Sequence, residues 1–176
     1  MEQVNLKLKA QSNNYPSLKL SDRHLCDLEL IMNGGFNPLT GFMSKDDYSS
    51  VINDMRLDNG TLWPIPITLD VHDNFVSKVY NSPKITLRNK EGFALAILNI
   101  NDIWKPDLEL EAQSIFRTND TKHPGVHYLL KTSKKNYIGG IIEKVSSPNH
   151  YDYKNLRHSP DELKSIFKNK NWDKVI

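Results

Sequence analysis

A single cysteine, Cys26, stands in the 176-residue chain, which excludes an internal disulfide and any multi-cysteine zinc site. No stretch approaches the eighteen or so apolar residues of a membrane-spanning helix. The phosphate-cradling patterns G-x-x-x-x-G-K-[ST] and G-x-G-x-x-G are absent, as is the nucleophile elbow G-x-S-x-G. Internal repeats and low-complexity tracts are missing too. The opening MEQVNLKLKAQ is polar and carries an acid at position 2, unlike a secretory leader, so a cytoplasmic location is expected.

What remains is an ordinary globular composition, 38% hydrophobic and 25% charged, of a length that suits one domain with a small appendage. The net charge of +2 is too small to imply nucleic acid, but it is unevenly spread. Residues 1–120 hold 12 Lys and Arg against 16 Asp and Glu, whereas residues 121–176 hold 11 against 5. The basic final third could face an anion or RNA, could be a solvated lysine surface, or could dock on something acidic.

The stretch LSDRHLCDLELIMNGGFNPLTGF, residues 20–42, predicts a helix capped by Ser21, with Leu25, Leu28 and Met32 on one stripe flanked by Ile31. Gly34 is suited to end it. Ser44 and Asp47 then cap a second helix carrying Tyr48, Val51, Ile52 and Met55. The glycines between the two helices follow a C-terminus, where carbonyls rather than amides are free, and Pro38 removes a further donor. That orientation opposes a phosphate cradle. Phe36, Leu39 and Phe42 read as plugs that fold the loop onto a core, so the loop is read as a structural corner.

Beyond residue 62 short strands are expected. LWPIPITLDV reads as an edge or bulged strand because of its two prolines, followed by NFVSKVY, KITLRN and the apolar FALAILNI after an NKEG turn. DLELEAQSIF and HPGVHYLLKTS read as helices, the second with Pro124 in its first turn. NYIGGIIEKV is a strand whose Gly139-Gly140 marks a bulge or a close backbone approach. A polar, aromatic connector follows, then a capping box from Ser159 to Glu162 that opens a helix with Leu163, Ile166 and Phe167. The final KVI reads as the start of a buried strand.

Candidate chemistry is sparse. His123 and His127 have metal-ligand spacing, but Pro124 makes His123 a cap, no glutamate follows and no third ligand is evident, so helix-start packing is preferred. His150, Tyr151, Asp152 and Tyr153 could support acid–base work, yet in a connector such residues more often pin a linker. Asp46, Asp47, Asp70 and Asp73 lack a partner motif and read as caps and turns. Cys26 is read as a buried, inert thiol.

Several segments closely resemble the N-terminal region of ATP sulfurylase (sulfate adenylyltransferase): residues 20–71, HPGVHYLL, YIGGIIEKV and HYDYKNLRHSPDELKSIFKNKNWDKVI. The likeness runs collinearly from about Leu20 to Ile176. One departure is FRTNDTKHPG, where members often have a glycine-containing turn, and it touches only a surface turn. The resemblance implies an α+β, PUA-like domain: a small barrel-like mixed sheet with peripheral short helices and a C-terminal linker helix. It places the domain at residues 1–155, with residues 156–176 as a linker helix and the start of a catalytic domain's first strand. It further implies a parent reaction in which ATP and sulfate give adenosine 5′-phosphosulfate and pyrophosphate. The family's Q-x-R-N-P…H-x-x-H and G-R-D-H motifs are absent from this sequence, so no catalytic, cofactor-binding or metal-binding residue is carried over. No cofactor is expected in this chain, while the parent is expected to use ATP with magnesium. The expected partner is the catalytic domain in cis, with a homo-oligomeric parent possible in this family, no membrane and no nucleic acid. The alternative is a stand-alone PUA-like module that binds RNA or protein.

Overall fold

The computed structural model describes residues 4–175. Asn5 caps α1 (Leu6–Gln11), a short helix that leads into β1 (Ser17–Lys19). Helix α2 (Asp22–Met32) starts where Ser21 Oγ accepts the His24 amide and ends at Asn33, with Gly34 at φ +81°. Its buried residues are His24, Leu28 and Ile31, so the inward stripe is centred one residue away from the expected one and includes a histidine. Helix α3 (Lys45–Asp54) is capped by Ser44 as expected and buries Tyr48 and Val51. Between them, Leu39 and Phe42 are buried, and Phe36 packs edge-on against Trp63 with ring centroids 5.6 Å apart. Gly41 and Phe42 form β2, so the loop is a structural corner that also supplies a strand.

Two expectations need correcting. LWPIPITLDV is an edge strand only at its end, β3 (Leu69–Val71) on β6, with one isolated bridge from Leu62 to Arg56, because Pro64 and Pro66 have no N–H of their own to donate to a ladder. NFVSKVY is not a strand but helix α4 (Asp73–Val79). Phe75, Val76 and Val79 turn inward at helical spacing, and Asp73 sits at the positive end of the dipole, which outweighs the strand preference of the valines. The remaining elements fall where expected. They are β4 (Lys84–Arg88), β5 (Ala94–Trp104), α5 (Leu108–Phe116), α6 (Pro124–His127) with a π turn over Tyr128–Thr132, β6 (Asn136–Lys144) and α7 (Pro160–Asn169).

The six strands form one mixed sheet in the order β1-β4-β5-β6-β2, with β3 also on β6. Only β1 and β4 run parallel, and the path does not close into a barrel. The fold is therefore α+β with short peripheral helices. Strand β6 is its axis. It pairs along one edge with β5, and on the other edge with β3 over Asn136–Ile138 and with β2 over Gly140–Ile141.

That sharing requires backbones to approach more closely than side chains allow. A Cβ on Gly41 would lie 1.8 Å from the Gly140 carbonyl oxygen. One on Gly140 would lie 2.0 Å from the Asn99 oxygen, and one on Gly139 would lie 2.2 Å from the Met43 oxygen. Opposite the glycine pair, β5 bulges between Ile100 and Asp102. The sequence reading of Gly139-Gly140 as a bulge or close approach holds on both counts.

Helix α7 differs from the rest. Its capping box is complete, with Ser159 and Glu162 exchanging hydrogen bonds, yet it buries no residue. Lys174 and Val175 form no strand and are exposed, and Ile176 lies outside the described residues, so the expected terminal strand is not seen over 174–175. Because backbone atoms cannot yield to a Cβ, Gly41→Ala or Gly140→Ala should lower stability by about 3 kcal/mol or more in urea unfolding. A loss below about 1 kcal/mol would show that the strands can part without penalty.

Candidate functional site

The charged residues that matter lie under the sheet. Asp70 stands at the centre of β3, opposite Tyr137 in register, and is 2% exposed. Its Oδ1 accepts from Arg23 Nη2 and from His24 Nε2, each at 2.8 Å. Because a carboxylate can only accept, Nε2 of His24 carries the proton. Its Oδ2 accepts the Lys134 amide at 2.9 Å and lies 3.3 Å from Lys134 Nζ. Burial opposes ionisation of Asp70, but the His24 hydrogen bond and charge together with the Lys134 amide and charge override it and hold the carboxyl well below the usual range. Arg23 spans the rest of the cluster, reaching Asp27 at 3.2 Å, the Thr68 carbonyl at 3.1 Å and Tyr128 Oη at 3.2 Å.

A second buried carboxyl sits beside this cluster. Glu111, on α5, is 6% exposed, and its Oε2 accepts from the hydroxyls of Tyr48 and Tyr137, each at 2.9 Å. Burial pushes the Glu111 carboxyl up, and the two tyrosine hydrogen bonds only partly offset this. The same burial and the neighbouring carboxyl raise both tyrosines. Their rings meet at 5.7 Å, nearly perpendicular, and Trp104 closes the triangle at 5.6 Å from Tyr48 and 5.8 Å from Tyr137. A cavity of about 210 Å³ opens over this floor, with Arg23, Glu111, Tyr128 and Tyr137 among its lining residues.

The residues singled out from sequence lie elsewhere. His123 caps α6 by accepting the Val126 amide at Nδ1 and packs on Phe116 at 5.0 Å, while His127 is exposed. His150 reaches Glu29 on α2 at 2.6 Å, and Asp152 pairs with Arg157 at 3.0 Å; Tyr151 and Tyr153 are exposed. Asp46 and Asp47 occupy the first turn of α3, and Asp73 that of α4, where it accepts from Asn136. Two readings are overturned. Asp70 is neither cap nor turn: it stands in a buried strand, where Arg23, His24 and the amide and ammonium of Lys134 satisfy it. Cys26 is exposed, since the inward stripe of α2 runs through His24, Leu28 and Ile31 rather than through its neighbours.

Arg23, His24 and Glu111 were missed from sequence, although signals existed. His24 stands four and seven residues before Leu28 and Ile31, and Glu111 stands between Leu108 and Ile115 at helical spacing. A polar residue on an apolar stripe is the mark of a buried polar pair. Both oxygens of Asp70 are held by cationic or N–H donors, and among the described residues no three His, Cys, Asp or Glu side chains come together as a metal cluster. Among the described residues, no helix is long and apolar enough to cross a membrane.

The charge pattern has a defined pH signature. Asp70 is depressed, so its stabilisation is complete above the ordinary carboxylate range and is lost as pH falls towards its folded value. Asp70→Asn should cost about 2–3 kcal/mol at neutral pH, less than for a fully buried pair because Arg23 and Lys134 stay partly solvated. Urea unfolding at pH 7 and pH 3 should show the gap between variant and parent shrinking in acid. A gap independent of pH would contradict the assignment.

A family model described as a PUA-like domain matches residues 2–147. The chain is 44% identical over 168 residues to the sulfate adenylyltransferase of Saccharomyces cerevisiae, covering 96% of this chain and 33% of that protein. It is 45% identical over 167 residues to that of Kluyveromyces lactis, with 95% and 33% covered, and 44% identical over 173 residues to that of Neurospora crassa, with 97% and 30% covered. Among solved structures, a hexameric APS kinase from Thiobacillus denitrificans superposes with a TM-score of 0.71 at 31% identity, over 95% of this chain and 29% of that one. The chain thus spans about a third of the length of the curated relatives it matches. It belongs to the PUA-like domain family.

Proposed function

We propose that this chain is the N-terminal, non-catalytic domain of a cytoplasmic sulfate adenylyltransferase, and that it scaffolds and docks a catalytic domain in cis. The observation that carries this reading is the extent of the likeness: nearly all of this chain matches, but only a third of each relative. On this reading, the parent joins ATP and sulfate into adenosine 5′-phosphosulfate and pyrophosphate, with the magnesium and ATP chemistry on the other two-thirds. Residues 1–155 form the domain proper and residues 156–176 its link. The hexameric state named for the related APS kinase supports an oligomeric parent.

The geometry of the last segment supports docking. Helix α7 holds Leu163, Ile166 and Phe167 on one half-buried stripe, and the Trp172 ring stacks on Phe167 with centroids 6.2 Å apart. Lys170 lies 4.5 Å over the Trp172 ring, which is 49% exposed. An apolar stripe without a core of its own calls for a partner surface. The RNA alternative rests on the PUA-like fold and on the C-terminal charge excess. Of the eleven Lys and Arg of that segment, Lys134 attends Asp70, Lys164 pairs with Asp161 and Lys170 covers Trp172.

Sulfate-dependent ATP–pyrophosphate exchange tests the reading. The purified 176-residue chain should show none, and the same chain continued into a Q-x-R-N-P…H-x-x-H segment should show it. Exchange catalysed by the 176 residues alone would overturn the proposal.

A further inference from the structure

The cavity over Glu111 holds a chemical asymmetry. Both tyrosine hydroxyls donate to Oε2 of Glu111, and Oε1 accepts no hydrogen bond among the described residues. Oε1 is not sealed in, because the one fully enclosed, unpartnered side-chain polar atom among those residues is Trp104 Nε1. Glu111 is one of the residues that line the cavity, with Tyr137, a donor to its Oε2, beside it in the wall. Ile65, Pro66, Ile115, Phe116 and Leu129 make the other walls largely apolar. Arg23, the other charged lining residue, already spends its donors on Tyr128, Asp27 and Asp70.

A carboxyl with one free oxygen among apolar walls is poorly solvated and is pushed towards its neutral form; a cationic N–H donor would bond that oxygen and draw the carboxyl into the ionised form that can act as counter-ion. The volume of about 210 Å³ lies below the roughly 300–1,000 Å³ of drug-sized pockets. It suits a ligand of about one ring. Phe116 and Tyr128 also line the cavity, and the Arg23 guanidinium lies 5.5 Å from the Tyr128 ring centroid, so an aromatic ring of this wall already accommodates one cation. We propose that this cavity binds the cationic head of an amine or amidine on a compact apolar body, with Glu111 Oε1 as its counter-ion. The head belongs either to a free small molecule or to a lysine or arginine side chain of protein.

The test is a titration of the 176-residue chain with benzamidine, and with benzamide as its neutral counterpart, followed by backbone amide NMR. Benzamidine should produce saturable shifts at Glu111, Gly125, Leu129 and Ser133. Binding should be about tenfold weaker for benzamide and for Glu111→Gln, the loss expected for one charged hydrogen bond. Ile65→Trp places bulk at an exposed wall residue and leaves the Glu111 hydrogen bonds intact, so it should block benzamidine in a folded protein. Tighter shifts of the same amides by Nα-acetyl-lysine amide or Nα-acetyl-arginine amide would assign the site to a protein side chain, and weaker ones to a free amine. Absence of saturable shifts with all three cations would overturn the proposal. So would equal benzamidine binding by Glu111→Gln or Ile65→Trp.

Discussion

Everything in this fold depends on the backbone contact at the centre of β6. Where Gly139 and Gly140 lie, β5 bulges past on one side while β2 and the start of α3 press in from the other. No residue with a Cβ fits at either position without moving a carbonyl oxygen. This crossing lets β6 carry β3 and β2 on one edge, and so joins the α2–α3 corner to the rest of the sheet. The corner's own glycine, Gly41, is matched to it.

The polar interior follows from that placement. With β3 fixed on the first half of β6, Asp70 comes to stand opposite Tyr137, and α2 brings Arg23 and His24 to it. Tyr137 in turn reaches Glu111 below. The two buried carboxyls respond oppositely to similar enclosure. Asp70 is held ionised by hydrogen bonds and charge from His24 and Lys134 despite its burial, while Glu111 is bonded only by tyrosine hydroxyls, with Arg23 a weaker influence, and burial pushes it towards protonation. The first behaves as a structural clasp. The second lines a cavity and, among the described residues, accepts hydrogen bonds only at Oε2.

Much of this was legible in the sequence where local chemistry decides. The Ser21, Ser44 and Ser159 caps, the Gly34 stop and the Gly139-Gly140 approach are set within a few residues, and each was readable. The misreadings arose where tertiary contact decides. Residues 73–79 contain strand-favouring valines but form a helix because one face meets the core. Asp70 looked like a turn residue because its partners lie 46 and 47 positions away. Of the candidate site, only the polar interruptions of two apolar stripes, His24 and Glu111, were visible, and neither shows from sequence alone which carboxyl would be satisfied.

The molecule divides into a body locked by the β6 crossing and a helix, α7, that buries no residue. Native-state hydrogen exchange measures that division directly. Amides of Ile138–Ile142 and Leu69–Val71 should exchange only through global unfolding, with a denaturant dependence equal to that of the whole protein. Amides of α7 should exchange through far smaller openings that denaturant barely affects. If β6 instead opened below the global transition, or α7 proved as protected as β6, the crossing would not be what holds the fold and α7 would not be an open docking element.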